Sequence, residues 1–231
     1  MFNPLQLTGR VADHVREVAE LGCTLHPEAA QALLAMRAAA RADGMQLAVV
    51  SAFRDFRRQV AIWDGKFSGT RTVFDRHGQA VDWRGLADSA KVRAILQWSA
   101  LPGASRHHWG TDFDVIDSAA VGQSYRPQLT AEEFAARGVF AKLGSWLETH
   151  AGRFGFFRPY DRDRGAVLPE PWHLSYAPLS VPALEAFTLD LLTETVVESD
   201  LAGKACVLEM LPEIYDRYVK NVAVTAPTRP S

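Results

Sequence analysis

Strand character is confined to three short stretches of this chain, residues 47–50, 112–117 and 172–176, set among much longer helical patterns. The first, Leu47-Ala48-Val49-Val50, is apolar and β-branched and predicts a buried strand. The other two alternate polar and apolar side chains, the mark of a half-buried strand. Helices and strands do not alternate regularly, as a doubly wound parallel sheet requires, so the pattern predicts an α+β fold.

The remaining pattern is mostly helical. Val11, Val15, Val18 and Leu21 share one stripe and predict a helix over 11–22. Further helices are predicted over 27–44, opened by Pro27, and over 55–67 and 89–100. Another spans 130–150, where Thr130 and Glu133 form a capping box. The chain turns helical again from 180, and a last stretch over 206–219 is interrupted or restarted at Pro212. Residues 68–88 and 152–164 read as loops, the first long enough to be a site-covering segment. The polar, Pro-rich tail 225–231 is expected to fray. One domain over 1–231 is expected, with 180–231 as a C-terminal helical extension.

Lys plus Arg is 25 and Asp plus Glu is 27, a net charge of −2, which argues against a nucleic-acid or anionic-membrane partner. Apolar residues at 48% and charged residues at 23% suit a globular chain rather than a disordered one. Cys23 and Cys206 stand far apart and outside any CxxC spacing, so neither a disulfide framework nor a cysteine zinc site is expected. No apolar run approaches the ~20 residues that span a bilayer. The first ten residues lack the charged and apolar regions of a secretory signal. As written, the chain is expected in the cytoplasm, or in the periplasm if a signal was removed or another route serves. A monomer is expected.

Of seven histidines, His14, His26, His77 and His150 read as structural or surface groups. Two other segments could carry chemistry. In Ser105-Arg106-His107-His108-Trp109-Gly110-Thr111-Asp112-Phe113-Asp114, two histidines and two carboxylates surround a glycine. Zinc takes His nitrogen and carboxylate oxygen. For His107 and an aspartate to share one ion the chain must turn between them, and Gly110 permits that turn. Asp112 and Asp114 share a strand face, one as direct ligand and the other behind it or facing solvent. The competing reading is a polar loop entering an edge strand. In Glu170-Pro171-Trp172-His173, Pro171 keeps Glu170 extended. There, either His173 binds a metal while Glu170 acts on water, or both are satisfied structural groups. Three protein ligands with a position left for water make a catalytic rather than structural zinc site.

Ser105-x-His107-x-x-Gly110-x-x-x-Asp114, followed by Glu170-x-Trp172-His173, resembles the S-x-H-x-x-G-x-x-x-D and E-x-W-H motifs of the D-alanyl-D-alanine carboxypeptidase family of zinc peptidases. Vancomycin-resistance D,D-dipeptidases and D,D-carboxypeptidases belong to that family. Upstream, Ser51-Ala52-Phe53-Arg54 with Gln59 looks like its S-G-Y-R segment. The resemblance implies a small antiparallel sheet, Zn2+ held by His107, Asp114 and His173, and Glu170 as general base. It implies that Arg54 binds substrate and stabilises the oxyanion, and that Ser105, Gln59, Trp172 and Tyr176 contact a peptidoglycan-derived peptide. Ala52, Phe53 and Asp112 depart from the family's commoner residues, and His108 reads as structural. The implied activity is hydrolysis of D-alanine-terminated cell-wall peptides. A metal-containing peptidoglycan-binding module without turnover is the alternative, and Glu170 discriminates against it, since a binder needs no base. A non-haem iron oxygenase also uses two His and one carboxylate, but with the first His and the carboxylate much closer in sequence.

Overall fold

The computed structural model describes residues 1–224, so the predicted frayed tail lies outside the described residues. In chain order the elements are α1 (Pro4–Leu7), β1 (Arg16–Val18), β2 (Cys23–Leu25), α2 (Pro27–Ala42), β3 (Leu47–Ser51), α3 (Phe56–Phe67) and α4 (Asp88–Leu96). There follow β4 (Asp112–Asp117), α5 (Ala131–Phe134), α6 (Ala141–His150), β5 (Phe156–Phe157), β6 (His173–Tyr176), α7 (Ala177–Ala186), α8 (Leu189–Val197) and α9 (Lys204–Ile214). A single antiparallel sheet, ordered β3-β4-β6-β5, organises the molecule, and β1 and β2 form a separate hairpin. The α+β expectation holds.

Side chains alternate across β4 and β6, and the alternation sorts chemistry by face. Phe113 and Val115 on β4 and Leu174 on β6 enter one core with Met36 of α2 and Leu143 of α6. The register pairs Asp112 with Ser175 and Asp114 with His173, so the other face is ionisable. A second core joins Trp63 of α3 and Ile95 of α4 to Leu192, Val207 and Leu211 of α8 and α9. The C-terminal helices thus build about half of this second core.

Several elements differ from the sequence reading. Residues 11–22 are no helix: Arg16, Glu17 and Val18 pair with Leu25, Thr24 and Cys23 in a hairpin. The valine stripe is β-branched and weakly helical. Gly22 (φ 64°) takes the left-handed turn, and Val15 packs on Gly110, a tertiary contact that outweighs a weak local preference. The 130–150 helix splits into α5 and α6. Between them a Cβ at Gly138 would collide with the carbonyls of Glu132 and Glu133, and the Phe140 N–H returns to the Glu133 carbonyl (2.7 Å). The Glu133 carboxylate still caps, accepting from the Thr130 N–H at 3.2 Å. α9 runs through Pro212 and continues as a π-helical turn, Tyr215–Lys220. The 152–164 segment includes β5. β3, expected to be buried, lies at the sheet edge with Val50 43% exposed, and every residue of β4, expected to be half-exposed, is buried. Both cysteines are free. Among the described residues no helix is long and apolar enough to cross a membrane.

Candidate metal centre

A 3-10 turn, Arg106–Trp109, carries His107 and ends at Gly110 in the left-handed region (φ 66°). Gly110 is also where the β1–β2 hairpin leans in: its carbonyl accepts from the His26 N–H at 2.8 Å, and a Cβ there would collide with Val15. The turn swings His107 over β4, leaving its Nε2 3.6 Å from Asp114 Oδ2. The strand register brings in His173, whose Nδ1 stands 3.2 Å from Asp114 Oδ1. One ligand atom from each of the three buried residues lies within 4.8 Å of the others.

The outward nitrogens of both histidines are engaged. His107 Nδ1–H donates to the Ala52 carbonyl (2.9 Å), which leaves Nε2 as the free lone pair. His173 Nε2–H donates to Asp112 Oδ1 (3.1 Å), which leaves Nδ1. Such partners fix tautomer and ring orientation in metal sites. Asp114 Oδ1 is buried with no hydrogen-bond partner. An orphaned carboxylate oxygen facing two aimed imidazole nitrogens fits a divalent cation. Burial and the nearby Arg54 push His107 well below its ordinary value, so it stays neutral. For His173 burial disfavours charge, but the carboxylates of Asp112, Asp114 and Glu170 around the ring outweigh it and push the group up well above 6.5. A metal ion held by Nδ1 would take the place of that proton.

Asp112 is the residue whose role the sequence left open. It is fully buried, opposed in ionisation by burial but held low by Arg106, His173 and Thr111. Arg106 Nε donates to it at 2.8 Å and Thr111 Oγ1 at 2.7 Å. It stands behind His173 and orients it. Asp112→Asn is therefore expected to weaken zinc binding roughly ten- to a hundredfold, whereas Asp114→Asn removes a ligand and should abolish tight binding. Competition with a chromophoric chelator measures both, and the reverse ranking would exchange the two roles.

Glu170 precedes β6 and is buried, its Oε2 3.2 Å from His173 Nδ1. Burial raises its carboxyl above the ordinary value. Arg54 follows β3 and lines a cavity with His107, Asp114 and Glu170, where burial pulls its guanidinium down against the support of Asp114 and Glu170. Its Nε is buried without a partner. Gln59 is fully buried and accepts from Arg54 Nη1 (3.1 Å) while donating to the Ala100 carbonyl (2.8 Å). It positions Arg54 and, being enclosed, offers no surface to a peptide. His108 ties the Arg54 backbone down as well. The Gly103 N–H donates to its Nε2, so Nδ1–H donates to the Arg54 carbonyl (2.6 Å), and burial pulls the ring to about 4.

Ser105, Arg54, His107, Glu170 and His173 line a small inner pocket, together with Tyr160 and with Ile214, Tyr218 and Val219 from the end of the described chain. Trp172 lines an adjoining open cavity of about 500 Å³, also bordered by Thr72, Phe74 and Arg76 of the 68–88 loop. The loop thus borders the open cavity rather than closing over it. Tyr176 is not brought to either cavity: it packs against Phe156 and Gly155 at the far end of β6. The sequence reading missed Tyr160, whose ring meets His173 edge-on at 5.1 Å and whose carbonyl accepts from the Glu170 N–H (3.0 Å). It lies in a charged loop with no periodic signal.

The chain is similar to known proteins over this region. An uncharacterized protein of Haemophilus influenzae is 31% identical over 121 residues, 52% of this chain and 92% of that one. The structure of a mutant of the vancomycin resistance D,D-pentapeptidase VanY in complex with Zn(II) matches with a TM-score of 0.50 and 25% identity, over 70% of this chain and 77% of that one. VanYB in complex with D-Alanine-D-Alanine shares the fold, with a TM-score of 0.52 and 22% identity over 82% of this chain and 92% of that one. The family model "VanY: D-alanyl-D-alanine carboxypeptidase" matches residues 22–179, which include the whole His107, Asp114 and His173 cluster and Glu170. On that match, spanning well over half of its length, the chain belongs to the VanY D-alanyl-D-alanine carboxypeptidase family.

Proposed function

We propose that this protein is a zinc-dependent peptidase that hydrolyses D-alanyl-D-alanine-type or related D-amino-acid-terminated cell-wall peptides. The observation that carries this reading is Glu170, a buried carboxylate 3.2 Å from the metal-facing nitrogen of His173 and elevated by burial. A binding module has no use for a base at that position. Bound zinc supplies a Lewis acid for the scissile carbonyl and lowers the pKa of a water towards 7. Glu170 accepts the proton of the attacking water and delivers it to the leaving amine. Arg54, with a buried unpartnered Nε beside the cluster, donates to the negative charge that develops on the carbonyl oxygen. His107, Asp114 and His173 would hold the ion, with Ala52 and Asp112 fixing the two rings. Tyr160 and Tyr218 line the small pocket beside them. Mass spectrometry of defined muropeptides after incubation with the zinc-loaded protein tests the reading. Release of D-alanine is expected. Binding without release at full zinc occupancy would make the protein a peptidoglycan-binding module instead.

A further inference from the structure

The last turn of α3 places Lys66 where the inner pocket and the open cavity meet. Lys66 lines the open cavity together with Arg54, His107 and Glu170, and its ammonium donates to Ser99, which lines the inner pocket, at 2.6 Å. Among the described residues that hydroxyl is its one hydrogen-bond partner, and Lys66 forms no ion pair. A partly buried ammonium with a neutral partner alone gives up some hydration and gains no charged partner in return. Burial pulls Lys66 from its ordinary value to about 8, against support from Glu170 and with Arg54 and Arg71 adding repulsion. A cation near a helix C-terminus is mildly favoured, but that preference is met in solvent and does not require the side chain to point into a cavity. What the ammonium lacks is an anion, and the cavity it lines is open to one.

We propose that Lys66 binds a carboxylate of the peptide substrate and so sets which peptides the site accepts. The inference rests on the peptidase reading above. A peptide can present that carboxylate at its C-terminus or on the side chain of a residue upstream of the scissile bond. In either case the ammonium gains the partner it lacks, as a charge-assisted hydrogen bond.

Binding to the zinc-loaded Glu170→Gln protein, with and without Lys66→Met, separates this role from turnover. Three peptides serve as probes in calorimetry: acetyl-Glu-D-Ala-D-Ala, its C-terminal amide, and acetyl-Gln-D-Ala-D-Ala. Met is close in length and removes a partly buried charge, so the fold should survive, and a thermal melt checks it. Lys66→Met should weaken the first peptide roughly ten- to a hundredfold, and Lys66→Arg should recover part of the loss. Insensitivity of the amide to Lys66→Met would assign the terminal carboxylate, and insensitivity of the Gln peptide the side chain. Equal affinities with and without Lys66, or an equal loss for all three peptides, would overturn the proposal. Failure of the unsubstituted protein to hydrolyse any of them would sink the peptidase reading separately.

Discussion

Glu170→Gln protein should bind zinc and D-alanine-terminated peptide as before and release almost no D-alanine. Gln matches Glu in size but cannot accept the water proton at neutral pH. General-base catalysis contributes ~10²–10⁴-fold, and the loss in kcat should fall in that range with KM little changed. The site suits this test because Glu170 is not one of the three residues clustered to hold an ion, so that cluster survives its replacement. Its backbone is pinned independently, with its N–H on the Tyr160 carbonyl and its carbonyl accepting the His173 N–H (3.1 Å). Product release followed by mass spectrometry, with zinc content measured on the same sample, gives the result. Wild-type rates in this variant would remove Glu170 from the chemistry.

His173→Ala should lose the metal altogether. Two ligands, His107 and Asp114, remain, and Asp112 loses the ring it orients. The variant also leaves the Asp112, Asp114 and Glu170 carboxylates buried near one another without the imidazole that contacts all three. Removing one partner from a buried charged set costs about 3–5 kcal/mol, so a lowered melting temperature is expected. The decisive readout is the response to zinc. A site saturated a thousandfold above its Kd stabilises the native state by about 4 kcal/mol. The wild type should show such a shift, and the variant none. Stoichiometric zinc in the desalted variant would show that the ion sits elsewhere.

Four chemical residues were legible in the chain because each belongs to a short local constellation. Gly110 between His107 and Asp114, and Pro171 between Glu170 and His173, impose backbone shapes that a reader can infer without knowing the fold. Elements with strong local signals, such as α2 behind Pro27 and α3 with its apolar periodicity, appear where they are predicted. Weaker signals yielded to packing. The stripe over 11–22 became a hairpin braced on Gly110, and the 130–150 helix broke where Gly138 lets the chain turn back on α5.

Local spacing narrowed the candidate ligands and base to two short segments, and the motif resemblance singled out His107, Asp114, His173 and Glu170 within them. Only the tertiary structure decided what surrounds them. The β4–β6 register set Asp112 behind His173 rather than in solvent. Gln59 was enclosed behind Arg54, and Tyr176 was carried to the far end of its strand. Lys66, Tyr160 and Tyr218 come from three separate segments of the chain and line the two cavities of one site. Their convergence depends on long-range burial of apolar faces against one another, an energy summed over the whole core and written in no single stretch of sequence.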